Sequence, residues 1–263
     1  MARRGVNSGA TGGVTLASTV YEQMRTDIIS GALKPQEKLR IESLKSRYQT
    51  GSSPIREAFN RLSSEQLVIQ HDQRGFYVAP VSIEEVLELT RTRALIFEVA
   101  IRESIARGDA AWEERIVVAM HRLSRAAWLV DGDRSRPNPD ARKAHRELHR
   151  ALIGAVGSQW LLDFQDRLFD QTERYRFLSY HSESGAKRDT NAEHRALVEA
   201  TLARDTSLAV RLTLDHIHRT AEFVQRQFTA GLTGLPGGSN FVGVTDRAPT
   251  PAGVADGAKP VLA

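Results

Sequence analysis

Twelve residues, Gly51-Ser-Ser-Pro-Ile-Arg-Glu-Ala-Phe-Asn-Arg-Leu62, constrain the fold more than any other stretch of the chain. Ile55, Ala58, Phe59 and Leu62 recur at helical spacing on one apolar face, Ser52 or Ser53 can cap the helix, and Pro54 fits its first turn. Ser52, Ser53, Arg56, Asn60 and Arg61 are left on the outside. Hydroxyls at a helix N-terminus, with an arginine one turn in, suit a helix whose first turn enters the major groove of DNA. There backbone N–H groups meet phosphates and arginine reads guanine. Taken alone, such a segment reads more readily as an ordinary amphipathic surface helix, so its surroundings decide.

Before it lie an apolar helix, Val20 to Ile29 ended by Gly31, and a second short helix from Ile41 to Tyr48. After it come Leu67 to Gln70 and Gly75 to Ala79, two β-rich runs around the polar turn His71-Asp-Gln-Arg74. Three helices and a small hairpin make a winged helix-turn-helix. The run Tyr21…Ile28-Ile29…Gly31…Leu33-Lys-Pro35…Leu39…Leu44…Ser53-Pro-Ile-Arg-Glu-Ala58…Arg61-Leu62…Leu67-Val68…Gly75-Phe76…Val78 resembles the DNA-binding domain of the GntR family of bacterial transcription regulators. The resemblance covers residues 16 to 80 and implies operator DNA as a partner, with Arg40, Ser53, Arg56 and Gly75 at positions that touch it. Ser52 and Arg61 join them as candidates on the same helix. Two departures reduce the base-reading set: Ser52 and Glu42 stand where many relatives carry arginine.

Charge supports this division. Residues 1–80 hold 11 Lys and Arg against 7 Asp and Glu, so the whole net charge of +4 sits in the N-terminal part. The Gly- and Ser-rich N-terminus lacks the apolar core of a signal peptide and no run approaches a membrane span, which points to the cytoplasm and to no membrane partner. Zero cysteines exclude disulfides, thiolate zinc sites and thiol catalysis.

Four parts follow: a disordered arm over 1–15, the winged helix over 16–80, an all-α bundle over 82–229 and a disordered tail over 230–263 rich in Gly, Pro, Ala and Thr. The linker Ala79-Pro80-Val81 is short, so a shift of the first bundle helix is expected to re-aim the winged helix. Ser82-Ile-Glu-Glu85 is a capping box opening a helix to about residue 107, ended by Gly108. Asp109 caps the next, which fades by Val130; after the loop 131–139, Pro139 opens a third that runs to Val156. Gly157-Ser158 breaks it before a fourth to about Tyr180, and a loop at Ser182 to Gly185 follows. Thr190-Asn-Ala-Glu193 is a second capping box, and Asp205 caps the last helix, which reaches about Phe228. Six helices with short connections make a bundle.

Of the eight histidines, His145 and His149 stand i, i+4 on one helical face, the spacing that lets two imidazoles grip one ion. His149-Arg-Ala-Leu152…Gly157-Ser-Gln-Trp-Leu161, then Glu193-His-Arg-Ala-Leu-Val-Glu-Ala200…Arg204-Asp205…Ala209…His216, resembles the effector-binding FCD bundle of the FadR-type branch of the GntR family. That resemblance implies a divalent metal held by His149, His194 and His216, with His145 in the place where an aspartate is usual. Replacing a carboxylate by imidazole removes a negative charge and favours Zn²⁺ or Ni²⁺ over Mg²⁺ or Ca²⁺. A metal-free pocket in which the histidines bind an acid directly stays open at this point.

Arg93 matches an arginine that in the family points to the ligand, although the acid usual one turn later is Phe97 here, with Glu98 beside it. Arg174 and Tyr175 are further effector candidates, since guanidinium binds carboxylate bidentately. The patterns Thr-Arg-Thr-Arg93 and Glu-Arg-Tyr-Arg176-Phe-Leu-Ser are similar to those of family members that govern glutarate and 2-hydroxyglutarate catabolism, implying a C5 dicarboxylate effector. The chain is therefore expected to be mainly α, a homodimeric, ligand-responsive repressor and not an enzyme. Two alternatives are an all-helical histidine-ligated metallohydrolase and a metal-free acyl-CoA sensor.

Overall fold

The computed structural model of the chain describes residues 15–132, 138–179 and 188–231. The expected disordered arm and tail fall outside these residues, except that Thr15 caps the first helix and the last helix runs to Gly231. The loop at 182–185 and most of that at 131–139 fall outside them too.

Helix α1 (Leu16–Ile29) starts where the Thr15 hydroxyl accepts from the Ser18 N–H at 3.1 Å, and it buries Val20, Tyr21, Met24, Ile28 and Ile29. Helix α2 is Ile41–Tyr48 and α3 is Ser52–Ser64. Ile55, Ala58, Phe59 and Leu62 of α3 are 0% exposed. Burying each of the larger three contributes roughly 1.5–3 kcal/mol, so this face fixes the domain. Gly51, not Ser52 or Ser53, is the N-cap of α3, and neither cap hydroxyl bond forms. Both serines lie inside the first turn instead, where their hydroxyls stay available to a ligand.

Strands β1 (Lys38–Leu39), β2 (Val68–His71) and β3 (Gly75–Val78) form an antiparallel sheet in the order β1-β3-β2, with Val68 opposite Val78 and His71 opposite Gly75. The expected hairpin is present, and β1 adds a third strand that two residues are too short to announce. Phe76 of the wing stacks on Phe59 at 4.5 Å, tying the sheet to α3. Gly75 has φ of +94°, a conformation closed to other residues, which makes the sharp turn of the wing possible.

The second part is α4 (Ile83–Arg107), α5 (Ala110–Arg125), a 3-10 turn (Val130–Gly132), α6 (Pro139–Leu152), α7 (Gln159–Ser179), α8 (Thr190–Leu202) and α9 (Thr206–Gly231). Helix α4 packs along α9 and α7, while α5 packs on α6 and α8. One core runs from Phe97 and Ile101 through Trp112, Ile116 and Leu148 to Val198 and Ile217. Trp112 is fully buried, and its indole N–H donates to the Ala151 carbonyl at 2.9 Å. A β-carbon on Gly108 would fall 1.9 Å from that ring, so only glycine lets α4 end there.

Three boundaries differ from the sequence expectations. Helix α5 ends at Arg125, because Asn138 bonds the Ala127 and Trp128 carbonyls and draws the chain out of the helix, freeing Trp128 to pack on His145. Helix α6 ends at Leu152, and Ile153 and Val156 reach the core from the following turn. Asp189, not Thr190, caps α8, since its carboxylate accepts from the Ala192 N–H at 2.9 Å and its charge suits a helix N-terminus.

The two parts meet along α7. Arg25 of α1 reaches Asp170, Gln171 donates to the Glu65 carbonyl at 2.7 Å, and Arg174 donates to the Ala79 carbonyl. At the linker, Ser82 accepts from the Glu85 N–H as a capping box requires, but the return bond passes through Tyr175. The Ser82 N–H donates to the Tyr175 hydroxyl, which donates to Glu85.

Candidate metal centre and DNA-binding face

Helix α6 has a polar sequence with a buried stripe of Ala141, Ala144, His145, Leu148, His149 and Leu152. Because two of those six are histidines, the helix must bury imidazoles in order to bury its leucines. His194 comes from the first turns of α8 and His216 from the middle of α9. All four are buried, and one nitrogen from each lies within 4.8 Å of the others. The His145 and His149 Nε2 atoms are 3.0 Å apart, and the His194 and His216 rings are 4.6 Å apart.

Hydrogen bonding leaves this cluster incomplete. Neither nitrogen of His194 has a partner, nor does His149 Nδ1. A buried polar atom without a partner costs about 1–3 kcal/mol, so the arrangement is one a shared ion would stabilise. Four buried imidazoles with converging lone pairs fit Zn²⁺ or Ni²⁺ and lack the oxygen donors that Mg²⁺ and Ca²⁺ require.

Charges surround the cluster. Burial, and then the arginines and the other rings, hold His145, His149 and His194 well below the usual imidazole range, and burial lowers His216 against the pull of Glu193. The Glu193 Oε2 is 2.9 Å from His216 Nδ1, and Arg188 grips both carboxylate oxygens. Burial pushes Glu193 up, but its bonds to Arg188 and His216 hold it well below the carboxylate range. On α7, Glu173 is buried and raised by desolvation against the pull of Arg176, Arg142 and Arg93. Arg93 is itself lowered to about 10 by burial.

Neutral native imidazoles give a pH dependence whose sign is fixed. The unfolded chain takes up protons below pH about 6.5 that the native cluster refuses, so stability falls as pH falls. Chelator-treated protein should lose roughly 1.4 kcal/mol per pH unit for each histidine kept neutral, between pH 6.5 and 5. Denaturant unfolding at pH 7 and 5.5 checks this, and equal stabilities would mean that the cluster is protonated in the fold.

The effector candidates separate. Arg93 donates to Thr172 at 3.0 Å, its Nε has no partner, and with Tyr175, Thr172 and Thr220 it lines a cavity between α4, α7 and α9. That cavity is about 10 Å³, room for about one water. A small acid can enter only if those helices part. Arg174 does not line it and is bound to the linker instead, while the Tyr175 hydroxyl is engaged by Ser82 and Glu85. Sequence reasoning missed Glu173, Arg176, Arg188, Glu193 and Asp170. The spacing of Phe169, Glu173 and Arg176 on α7 puts Glu173 and Arg176 on one face with an aromatic ring, and no comparable spacing joins Arg188 or Glu193 to them.

On the DNA-binding domain, Arg40 is the N-cap of α2, and Arg40, Ser53 and Arg56 are exposed while Ser52 is half-buried. Gly75 opens the wing strand. Arg61 lies elsewhere, its guanidinium 3.6 Å over the Tyr21 ring and 3.3 Å from the Ser18 hydroxyl, so the structure brings it to α1. Arg56→Ala should weaken specific operator binding by roughly 1–3 kcal/mol. Arg40→Ala should weaken all sequences alike and flatten the salt dependence. Footprinting titrations on operator and random DNA check both; a sequence-selective loss at Arg40 would contradict a phosphate role.

Comparison with known proteins places these features in a family context. The profile for bacterial regulatory proteins of the gntR family matches residues 16–78, and that for the FCD domain matches residues 88–219. The chain is 37% identical to the HTH-type transcriptional regulator BphR of Paraburkholderia xenovorans over 81% of this chain and 86% of that one. It is 34% identical to the HTH-type transcriptional repressor GlaR of Escherichia coli over 78% of this chain and 94% of the other. Among solved structures, E. coli McbR/YncC superposes with a TM-score of 0.68 at 18% identity, over 82% of this chain and 100% of that one, a likeness of fold.

Proposed function

The chain belongs to the gntR family of bacterial regulatory proteins and carries its FCD domain, and from that premise we propose a homodimeric repressor that releases or grips its operator in response to a small carboxylic acid bound beside a metal ion. The family consists of DNA-binding transcription regulators, so the metallohydrolase alternative is set aside. No helix among the described residues is long and apolar enough to cross a membrane. We place the protein in the cytoplasm, where its operator is.

One observation carries the sensing part: four buried imidazoles whose nitrogens converge, with both nitrogens of His194 and Nδ1 of His149 lacking partners, and a small cavity lined by Arg93. His145, His149, His194 and His216 would hold the ion, and a bound Zn²⁺ or Ni²⁺ supplies a Lewis-acid position for a carboxylate oxygen. Arg93 supplies a second anchor, and the surplus of Arg93, Arg142 and Arg176 over Glu173 favours a dianion. Together with the glutarate-type sequence pattern, this supports a C5 dicarboxylate. Because α4, α7 and α9 must part to admit it, ligand affinity differs between two packings, which is all that coupling requires.

A single recognition helix reads few base pairs, so two copies on half-sites about one helical turn apart are expected. Leu87, Leu95 and Val99 on α4 are 50%, 61% and 55% exposed, an apolar stripe suited to a second copy. Sedimentation should show a dimer free and on DNA; a monomer in both would remove that part. For sensing, fluorescence titration of operator with metal-loaded chain should shift about 5–150-fold on adding glutarate. An equal shift after chelation would replace the metal with a direct Arg and His pocket.

A further inference from the structure

The two nitrogens of His145 have different surroundings. Nε2 faces His149 Nε2 at 3.0 Å, inside the cluster. Nδ1 faces outward to α7, with Arg176 NH1 at 3.2 Å and Glu173 Oε1 at 3.4 Å. These neighbours make opposite demands. Guanidinium only donates, so a bond from Arg176 needs a bare Nδ1 lone pair, whereas Glu173 only accepts when ionised and needs Nδ1–H. A neutral imidazole carries one hydrogen. Once Nε2 gives its lone pair to an ion, that hydrogen must sit on Nδ1, and of the two neighbours only Glu173 can then bond it. Arg176 keeps a partner in the exchange, because its Nε lies 3.3 Å from the same Glu173 oxygen.

We propose that Glu173 is a positioning residue of the metal centre, accepting the Nδ1–H of His145 and so holding Nε2 toward the ion. This deepens the metal reading given above and rests on it. Glu173 has capacity for the role: its side chain is 2% exposed and its Oε2 has no hydrogen-bond partner. The other side of the cluster repeats the arrangement independently. His216 Nδ1 is 2.9 Å from Glu193 Oε2, and an arginine, Arg188, backs that carboxylate as Arg176 backs Glu173. Each pair spans two helices, α6 with α7 and α9 with α8. The two carboxylates bring negative charge next to a divalent ion that four neutral imidazoles leave uncompensated.

Zn²⁺ affinity measured by chelator competition on the full chain tests this. Glu173→Gln should weaken binding about 10–100-fold, and Glu173→Asp, which keeps the charge, should recover part of the loss. In a His145→Ala background the same Glu173→Gln change should alter affinity less than about threefold, because the partner through which it acts is gone. Should Glu173→Gln alone fold poorly, Glu173→Gln with Arg176→Gln removes the buried charge together with its partner and should show the same loss. In the ¹⁵N spectrum of the Zn²⁺-loaded chain, His145 should be the Nδ1–H tautomer. Absence of Zn²⁺ binding by the wild-type chain overturns the metal reading and this proposal with it. Tight wild-type binding matched by Glu173→Gln within about threefold, an undiminished loss in the His145→Ala background, or an Nε2–H tautomer overturns the role of Glu173 alone.

Discussion

The His149→Ala chain is expected to lose metal binding by about two to three orders of magnitude and the effector response with it. Apparent zinc affinities of four-ligand sites amount to roughly 10–16 kcal/mol, so one ligand in four carries about 2.5–4 kcal/mol. His149 also touches all three other rings, with centroids 4.6 Å from His145, 5.4 Å from His194 and 5.3 Å from His216, and it meets Phe97 edge to face. Truncation therefore opens the cluster as well as removing a donor. The winged helix has its own core from Val20 to Val78, and none of it is built on α6. Operator DNA should still be bound while glutarate no longer alters that binding. Calorimetry decides the matter: a variant that after chelation binds dicarboxylate as tightly as metal-loaded wild type, and still responds, would show that the ion has no part in sensing.

Asp170→Ala should cost about 3 kcal/mol of stability and weaken communication between the halves without removing the metal. Asp170 is 7% exposed and stands between two arginines: Arg25 of α1 on one oxygen and Arg146 of α6, 2.6 Å away, on the other. Arg146 follows His145 directly, and Arg25 also holds Glu65 at 2.8 Å, the residue that ends α3. One carboxylate thus joins the helix of the histidine pair to α3, the helix we propose to face DNA. Breaking a buried pair by removing one partner costs up to about 3–5 kcal/mol; here both arginines keep a second acid, so the lower end applies. Urea unfolding gives the stability, and operator titrations with and without glutarate give the coupling. A full effector response in the variant would shift the connection to the linker.

Much of this was legible in the sequence, because the signals were local. Ile55, Ala58, Phe59 and Leu62 mark α3 by period alone, Gly108 and Asp109 punctuate α4 and α5, His145 and His149 stand out by their spacing, and His194 and His216 join them through the family resemblance. What escaped depends on distant partners. Nothing local in the sequence marks Asp170, Glu173 and Arg176 as buried, because charge ordinarily seeks water, and only the arrival of α1 and α6 against α7 encloses them. The contacts of α7 with Glu65 and Ala79, which stand beside the expected route through α4, were not legible for the same reason. The cap of α3 escaped because Gly51, Ser52 and Ser53 are all acceptable there, and side-chain chemistry cannot rank them.

Two adjacent residues of α7, Arg174 and Tyr175, grip the chain on either side of Pro80, one at the Ala79 carbonyl and the other at the Ser82 N–H. A connection held at both ends is a bracket and not a tether. In a dimer it would make the distance between the two reading heads a fixed dimension of the protein, as set as the gauge of a rail track. Adding a single base pair between half-sites turns one of them by about 35° around the duplex axis, since a turn holds about 10–10.5 base pairs. A tethered head would follow that rotation; a bracketed one would lose its groove, so operators for this protein should admit one spacing and penalise its neighbours.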